Sequence, residues 1–460
     1  MKRRGAVLLL AVVAAVGLYA VPAGAEGSRG RHGRVLVVDK GSHHGSCYGK
    51  HHRRPYPTIQ AAVDAARSGD TIKVCPGLYE ETVKVETDHL TIKGAKAGVD
   101  ATEREGRRES VVTSNDATGT VQLLADHITW DGFKIRDNTA GPGLYTSPDR
   151  SGYLIRDTIF LDNGSGIHLG SSGEHPTVVC RNRFTANNEF EGPTGAFGIY
   201  SSEGARQVLI TSNRFERHNT AAVFFTDEGV DDVLIEHNKS VDDLTFVSIF
   251  NSTRVRVTAN WIRARVGDTQ FPGPASAIFV GAGNDDVIVQ KNKVASASGN
   301  GIHVTDTGPV GTPPTNVIVR WNKVEHALEF GIEISATGAG EYRVLANRSR
   351  TNAVGIHLGL GTSGVVVDGN TALDNTLDCQ DESNPLANTW QDNVGVTSDP
   401  SDAALCTAPT ELTQAGYDRD HDDDGKDHDK RKHKKHHKKM KKHKKHHRPD
   451  PCVCTLPWRF

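Results

Sequence analysis

Through the middle of the chain, apolar and polar residues alternate in short runs, and an apolar triplet is followed within a few residues by Asn. The pattern recurs as VVCRNRF, VLITSNRF, VLIEHNKS, VRVTANWI, VIVQKNKV, VIVRWNKV, RVLANRS and VVVDGNTA, with Asn at 182, 213, 238, 260, 292, 322, 347 and 370. Successive Asn are 22 to 32 residues apart. A second motif lies between them: GIHLG at Gly166, GIYSS at Gly198, AVFFTD at Ala222, SIFNS at Ser248, AIFVG at Ala277, GIHVTD at Gly301, GIEIS at Gly331 and GIHLG at Gly355. Period-two alternation over such short runs predicts strands. A unit of at least two short strands and one Asn turn cannot bury its own apolar face, so neighbouring units must stack as a solenoid. The L-x-x-L-x-L frame of leucine-rich repeats is absent. Asn suits the turn because it tolerates left-handed backbone and its amide can bond to the equivalent Asn one rung away.

Composition agrees. Of 460 residues, 36% are apolar, only 6% are aromatic and two are Met, while 47 are Gly, which favours short strands and tight turns. At the front, Lys2, Arg3 and Arg4 precede the apolar run Ala6 to Ala20, and Ala23-Gly24-Ala25 supplies small residues at a cleavage site. Residues 1–25 are therefore expected to be a signal peptide, giving a secreted or cell-surface protein that starts near Glu26 with no membrane span in the mature chain. Residues 26–54 read as a flexible Gly/His/Arg-rich lead.

The net charge of -2 conceals a tail of two opposed parts. Residues 418–429 hold seven Asp against two basic residues, and 430–448 hold twelve Lys or Arg, six His and no acid. The stretch 418–448 has nothing to bury and is expected to be disordered; 449–460 forms a Cys-containing end. Removing this basic tail leaves a net acidic body, which argues against nucleic acid as the main ligand. The basic run suits attachment to an anionic cell-envelope polymer. Seven Cys in an exported chain suggest disulfides, locally Cys47–Cys75 and Cys379–Cys406. Cys180, inside an apolar strand, reads as a small buried hydrophobe, and Cys452 and Cys454 are too close for an easy mutual bridge.

The opening Tyr56-Pro-Thr-Ile-Gln-Ala-Ala-Val-Asp-Ala-Ala66, Gly69-Asp-Thr-Ile-Lys-Val-Cys-Pro-Gly-Leu-Tyr-Glu80 and Leu90-Thr-Ile-Lys-Gly94 resembles the start of secreted β-helices of the pectin-lyase-like superfamily. The resemblance covers about residues 55–394. It implies an all-β fold, a single-stranded right-handed parallel β-helix, capped at its N-terminal end by a short helix on Ile59, Ala62, Val63 and Ala66, with 395–417 closing the other end. The same fold carries lyases, hydrolases, esterases, epimerases and non-enzymes, so it leaves activity open.

In G-I-H-L the Ile and Leu point inward and the residue between them outward. Stacking equivalent positions gives an outward column of His168, Tyr200, Phe224, Phe250, Phe279, His303, Glu333 and His357. The aromatic part reads as an exposed sugar-binding strip. His303, Glu333 and His357, a rung apart, are candidate acid/base groups. A covered structural stack is the competing reading. Asp227, Asp232, Asp286 and Asp306 lie in turns after this strand and could hold Ca²⁺, as in related lyases. An Asp232/Arg254/Asp286 ladder explains the same residues structurally. The N-T-D and G-H-G motifs of polygalacturonases, the G-R-P-W and D-F-I-F-G elements of pectinesterases and the D-P-H-D of alginate epimerases are absent. The two surviving readings are a protein that binds and cleaves extracellular, acidic polysaccharide as a lyase or glycoside hydrolase, and a non-catalytic surface spacer or adhesin held by its polybasic tail.

Overall fold

The computed structural model describes residues 33–40, 55–188, 196–226, 229–266, 275–308, 311–338, 340–383, 387–401, 403–409 and 452. The signal segment, most of the lead, Cys47, Asp227 and the tail 418–448 lie outside them. Strands pair in parallel into three long sheets of 14, 12 and 13 strands, and the chain visits first, second and third sheet in turn on each rung. The first runs from Val35–Val38 to Thr389–Gln391, the second from Gly77–Glu80 to Thr371–Leu373 and the third from Val83–Val85 to Ser398–Asp399. This is the expected β-helix.

Alternation places one apolar column per sheet inside the coil. In the third sheet, Leu144, Ile167, Ile199, Val223, Val247 and Ile278 stack in register and are fully buried. Each such side chain contributes about 2 kcal/mol by leaving water. The Gly of the G-I motif has a steric cause: a Cβ on Gly198 would lie 2.5 Å from the Ala222 carbonyl oxygen of the next rung.

The Asn form a buried ladder. Each Nδ2 donates to the Oδ1 of the next Asn at 2.9–3.1 Å from Asn182 to Asn370, and the ladder extends one rung further, to Asn393. The left-handed residue is not the Asn but the one before it: Arg181, Ser212, His237, Ala259, Lys291, Trp321 and Ala346 all have φ between 50° and 56°. The Asn takes the buried position and satisfies backbone groups on two rungs, which explains why its neighbour varies. A second ladder, between the second and third sheets, runs Asn138, Asn163, Asn187, His218, Asp243. His218 Nδ1 and Asp243 Oδ1 are 2.7 Å apart and both side chains are fully buried.

The capping helix spans Ile59–Asp64, with Thr58 Oγ1 accepting from the Ala61 amide. The Glu81 carboxylate accepts from the Ile59 and Gln60 amides at 2.9 Å. Ile59, Ala62 and Val63 are buried and Ala66 packs at their margin. Part of the lead departs from the flexible reading. Val35–Val38 pairs with Thr71–Val74, because this apolar run buries Leu36, Val37 and Val38 while Arg34 grips Asp70 at 2.6 Å. At the far end Ser398–Asp399 adds to the third sheet and Cys379–Cys406 forms the expected disulfide. Cys75 is disulfide-bonded. Cys180 corrects the sequence reading: it is buried, but it is bonded to Cys452, 272 residues away, a pairing that local spacing does not reveal. Among the described residues, no helix is long and apolar enough to cross a membrane.

Candidate functional site

The outer face of the third sheet stacks Tyr145, His168, Tyr200, Phe224, Ser248, Phe279, His303, Glu333 and His357 on nine consecutive rungs. Two positions differ from expectation. Ser248, not Phe250, is in register with Phe224, because a slip of two residues leaves the inward and outward sets unchanged and the alternation cannot detect it. Phe250 follows the strand, yet its ring lies 5.9 Å from Phe224 and 5.5 Å from Phe279, closing the gap above Ser248. Tyr145 begins the column one rung earlier, 5.4 Å from His168. It escaped the sequence reading because its segment, P-G-L-Y-T, lacks the G-I frame. Phe197 was also missed; its ring stacks on Tyr200 at 5.2 Å and on Phe224 at 4.7 Å.

The aromatics are less open than an exposed strip. Tyr200 is 8% exposed, and Phe224, Phe250 and Phe279 are half-buried by one another. Ring contacts continue through His168–Tyr200 at 5.1 Å and Phe279–His303 at 5.3 Å. Beside the first rungs a cleft of about 120 Å³ is lined by Pro142, Gly164, Ser165, His168, Tyr200 and Ser202. Ser202 Oγ lies 3.3 Å from His168 Nε2, and Tyr145 donates to Glu203 at 3.0 Å. Burial, then Glu203, pushes the Tyr145 phenol up to about 12, and burial lowers the His168 pKa.

At the other end, the structure brings the three acid/base candidates together. Glu333 Oε2 is 3.1 Å from His303 Nε2, and its Oε1 is 3.3 Å from His357 Nδ1. Asn300 Nδ2 donates to Glu333, and His303 Nε2 is also 2.7 Å from Ser335 Oγ. Phe330 stacks on His357 at 4.1 Å, with Glu382 3.6 Å from the other ring nitrogen. Neither nitrogen of His357 makes a hydrogen bond. Burial holds His303 below the usual imidazole range, opposed by the Glu333 charge, so its ring is neutral at pH 7 and able to accept a proton.

Among the described residues, no group of three or more His, Cys, Asp or Glu is placed to hold a metal ion. Asp232, Arg254 and Asp286 do occupy one equivalent position, all left-handed with φ of 60°, 51° and 53°. Arg254 reaches back to Asp231 rather than Asp232, so the ion pair joins residues one position out of line. One oxygen of Asp232 is buried without a hydrogen-bond partner, and burial pushes its pKa up to about 6. Asp306 accepts from the backbone and hydroxyl of Thr337.

The rung geometry defines the fold: the described residues form a right-handed parallel β-helix. Residues 197–372 match the family described as the right-handed beta helix region. No curated protein matches by sequence. A mannuronic acid specific polysaccharide family 6 lyase from human gut microbiota superposes with a TM-score of 0.51 at 11% identity, over 78% of this chain and 92% of the lyase. The Dettilon tailspike protein matches at 16% identity and a TM-score of 0.40, over 77% of this chain, which spans 60% of the tailspike chain. The Azotobacter vinelandii mannuronan C-5 epimerase AlgE6 A-module matches at 13% identity and a TM-score of 0.43, over 76% and 95% of the two chains.

Proposed function

We propose that this is an extracellular protein that binds an acidic polysaccharide along the outer face of the third sheet and cleaves it beside Glu333. One observation carries the reading: rings on successive rungs, from Tyr145 to Phe279, lead without a break to a carboxylate held between two imidazoles. Aromatic faces suit sugar rings, with His168, Tyr200, Phe224, Phe250 and Phe279 as the platform. His303, kept neutral by burial, takes a proton from the bound residue, while Glu333 orients it and stabilises the imidazolium that forms. His357 is the acid on the opposite side of Glu333. The lyase that shares the fold is named for mannuronic acid, which makes that polymer the first to try. Disulfides at Cys180–Cys452 and Cys379–Cys406 fit an oxidising, extracellular setting.

A second reading rests on burial: the Glu333 and His357 side chains are only 11% and 5% exposed. That favours a polar brace inside a surface spacer or adhesin, with residues 430–448 attached to an anionic envelope polymer. Product mass spectrometry after incubating the protein with neutral and acidic polysaccharides, with and without Ca²⁺, separates the two. Shortened chains establish an enzyme, and an unsaturated end lighter by one water marks elimination. Turnover that survives His303→Ala combined with Glu333→Gln removes the assigned acid/base groups. Intact polymers throughout favour the spacer.

A further inference from the structure

The outer face of the first sheet carries an apolar stripe. Its register stacks Leu154, Val178, Leu209, Leu234, Ile288 and Ile318, with Arg256 the one interruption, between Leu234 and Ile288. The residue after each of them, from Ile155 and Val179 to Val319, is fully buried, which fixes the stripe on the outside. Stacking does not call for it. The three preceding rungs have Thr71, Thr91 and Thr129 at the same position and pair in the same register, and Arg343 follows Ile318. The stripe is therefore a local feature of the wall, and outward apolar columns of this kind mark contact surfaces.

Its near end is where a distant part of the chain is bonded. Cys452 joins Cys180, two residues beyond Val178 on the same strand, and packs with Val178 and Leu209. Although both point outward, Val178 and Leu209 are only 5% and 4% exposed, and Leu154 and Leu234 pack at the margin of this cluster. Farther along, Ile288 and Ile318 are half-buried. The eight residues after Cys452 are Val-Cys-Thr-Leu-Pro-Trp-Arg-Phe, of which Val453, Leu456, Trp458 and Phe460 are large and apolar. Extended at about 3.3 Å per residue they reach about 26 Å, and the rungs from Val178 to Ile318, about 4.8 Å apart, span about 24 Å. Pro457 keeps Leu456 extended, and its missing N–H is no loss where a chain crosses strands instead of pairing with them.

We propose that residues 453–460 dock along this stripe, from Cys180 toward Ile318, as a clasp on the solenoid wall. The clasp shares no residue with the third-sheet site and stands whether or not that site is catalytic. It also bears on attachment. Arg448 ends the basic run four residues before Cys452, a reach of at most about 14 Å, so that run is fastened to the side of the coil as well as to its C-terminal end.

The test uses the whole chain with the photoreactive residue benzoylphenylalanine in place of Trp458. Six residues from Cys452 put that position about 20 Å along the stripe, level with Ile288, so irradiation should cross-link it to the strand Asp285–Gln290 of the same chain. Hydrogen exchange read by mass spectrometry should show the amides of 453–460 exchanging roughly tenfold or more slowly in the parent than in Leu234→Thr/Ile288→Thr/Ile318→Thr. Thr already stands at this position on three rungs, so the variant should keep the fold. Both proteins keep Cys180–Cys452, so tethering alone cannot produce the difference. Equal exchange in parent and variant, or cross-links to no strand of the first sheet, would overturn the proposal. A cross-link that joins two chains would overturn the choice of occupant and assign the stripe to a second copy.

Discussion

Asn292→Ala tests the principle on which the whole coil rests. The Asn292 side chain makes four hydrogen bonds: Nδ2 donates to Asn322 Oδ1 at 3.0 Å and to the Val257 carbonyl at 2.8 Å, and Oδ1 accepts from Asn260 N at 3.0 Å and Nδ2 at 2.9 Å. It is 1% exposed, so water cannot replace them. At about 1 kcal/mol per bond the substitution costs about 4 kcal/mol, a large share of the stability of a domain. The Asn260 amide and the Val257 carbonyl, left buried, add to that figure. The control is Asn316→Ala, at an exposed left-handed position where one bond to Asp285 at 2.9 Å is lost; it should cost about 1 kcal/mol. Urea unfolding followed by circular dichroism and Trp fluorescence gives both numbers, and coincident transitions license the two-state treatment. If Asn292→Ala costs no more than Asn316→Ala, the ladder does not hold the turns together and the account given of the repeated Asn is wrong.

Three further outcomes follow from the titrating groups. His127, His168 and His303 are all held below the ordinary imidazole value, mainly by burial, so the unfolded chain takes up protons that the folded one refuses. Their contribution to stability is therefore complete above about pH 6.5 and is lost as pH drops below it; in the Asp232→Asn background, a melting temperature flat from pH 7 to 5 would contradict this. Asp232 has the opposite sign: burial raises it to about 6, so its charged form destabilises the folded protein as pH rises through that value. Asp232→Asn, which also suits the left-handed backbone, should raise the melting temperature at pH 8 and gain nothing at pH 4; equal effects at both would refute the burial argument. Glu203→Gln removes the negative charge beside the Tyr145 phenol while keeping an oxygen that can accept its hydrogen bond, and ultraviolet titration should show that tyrosine ionising below its parent value of about 12.

The sequence by itself determined the solenoid. Period-two alternation marks strands, and a repeated Asn marks a buried turn whose partner is another Asn, because neither feature depends on anything outside the unit and its neighbours. It also placed His303, Glu333 and His357 on adjacent rungs, since all three sit in the same G-I-x-V/I/L frame, and it located the capping helix on Ile59, Ala62 and Val63. What it could not determine were relations that keep the local pattern unchanged. A two-residue slip preserves inside and outside, so Phe250 stood in for Ser248 until the strands were paired. The second ladder passes from Asn to His218 and Asp243, residue types that share hydrogen-bonding capacity but no letter. Cys180 finds Cys452 across 272 residues, a distance no spacing rule spans. The second-sheet column of Lys239, Trp261, Lys293, Lys323 and Arg348 appears only when residues scattered over more than a hundred positions are brought one above another. Alternation fixes which way each side chain points, but only the register of the coils decides which side chains become neighbours.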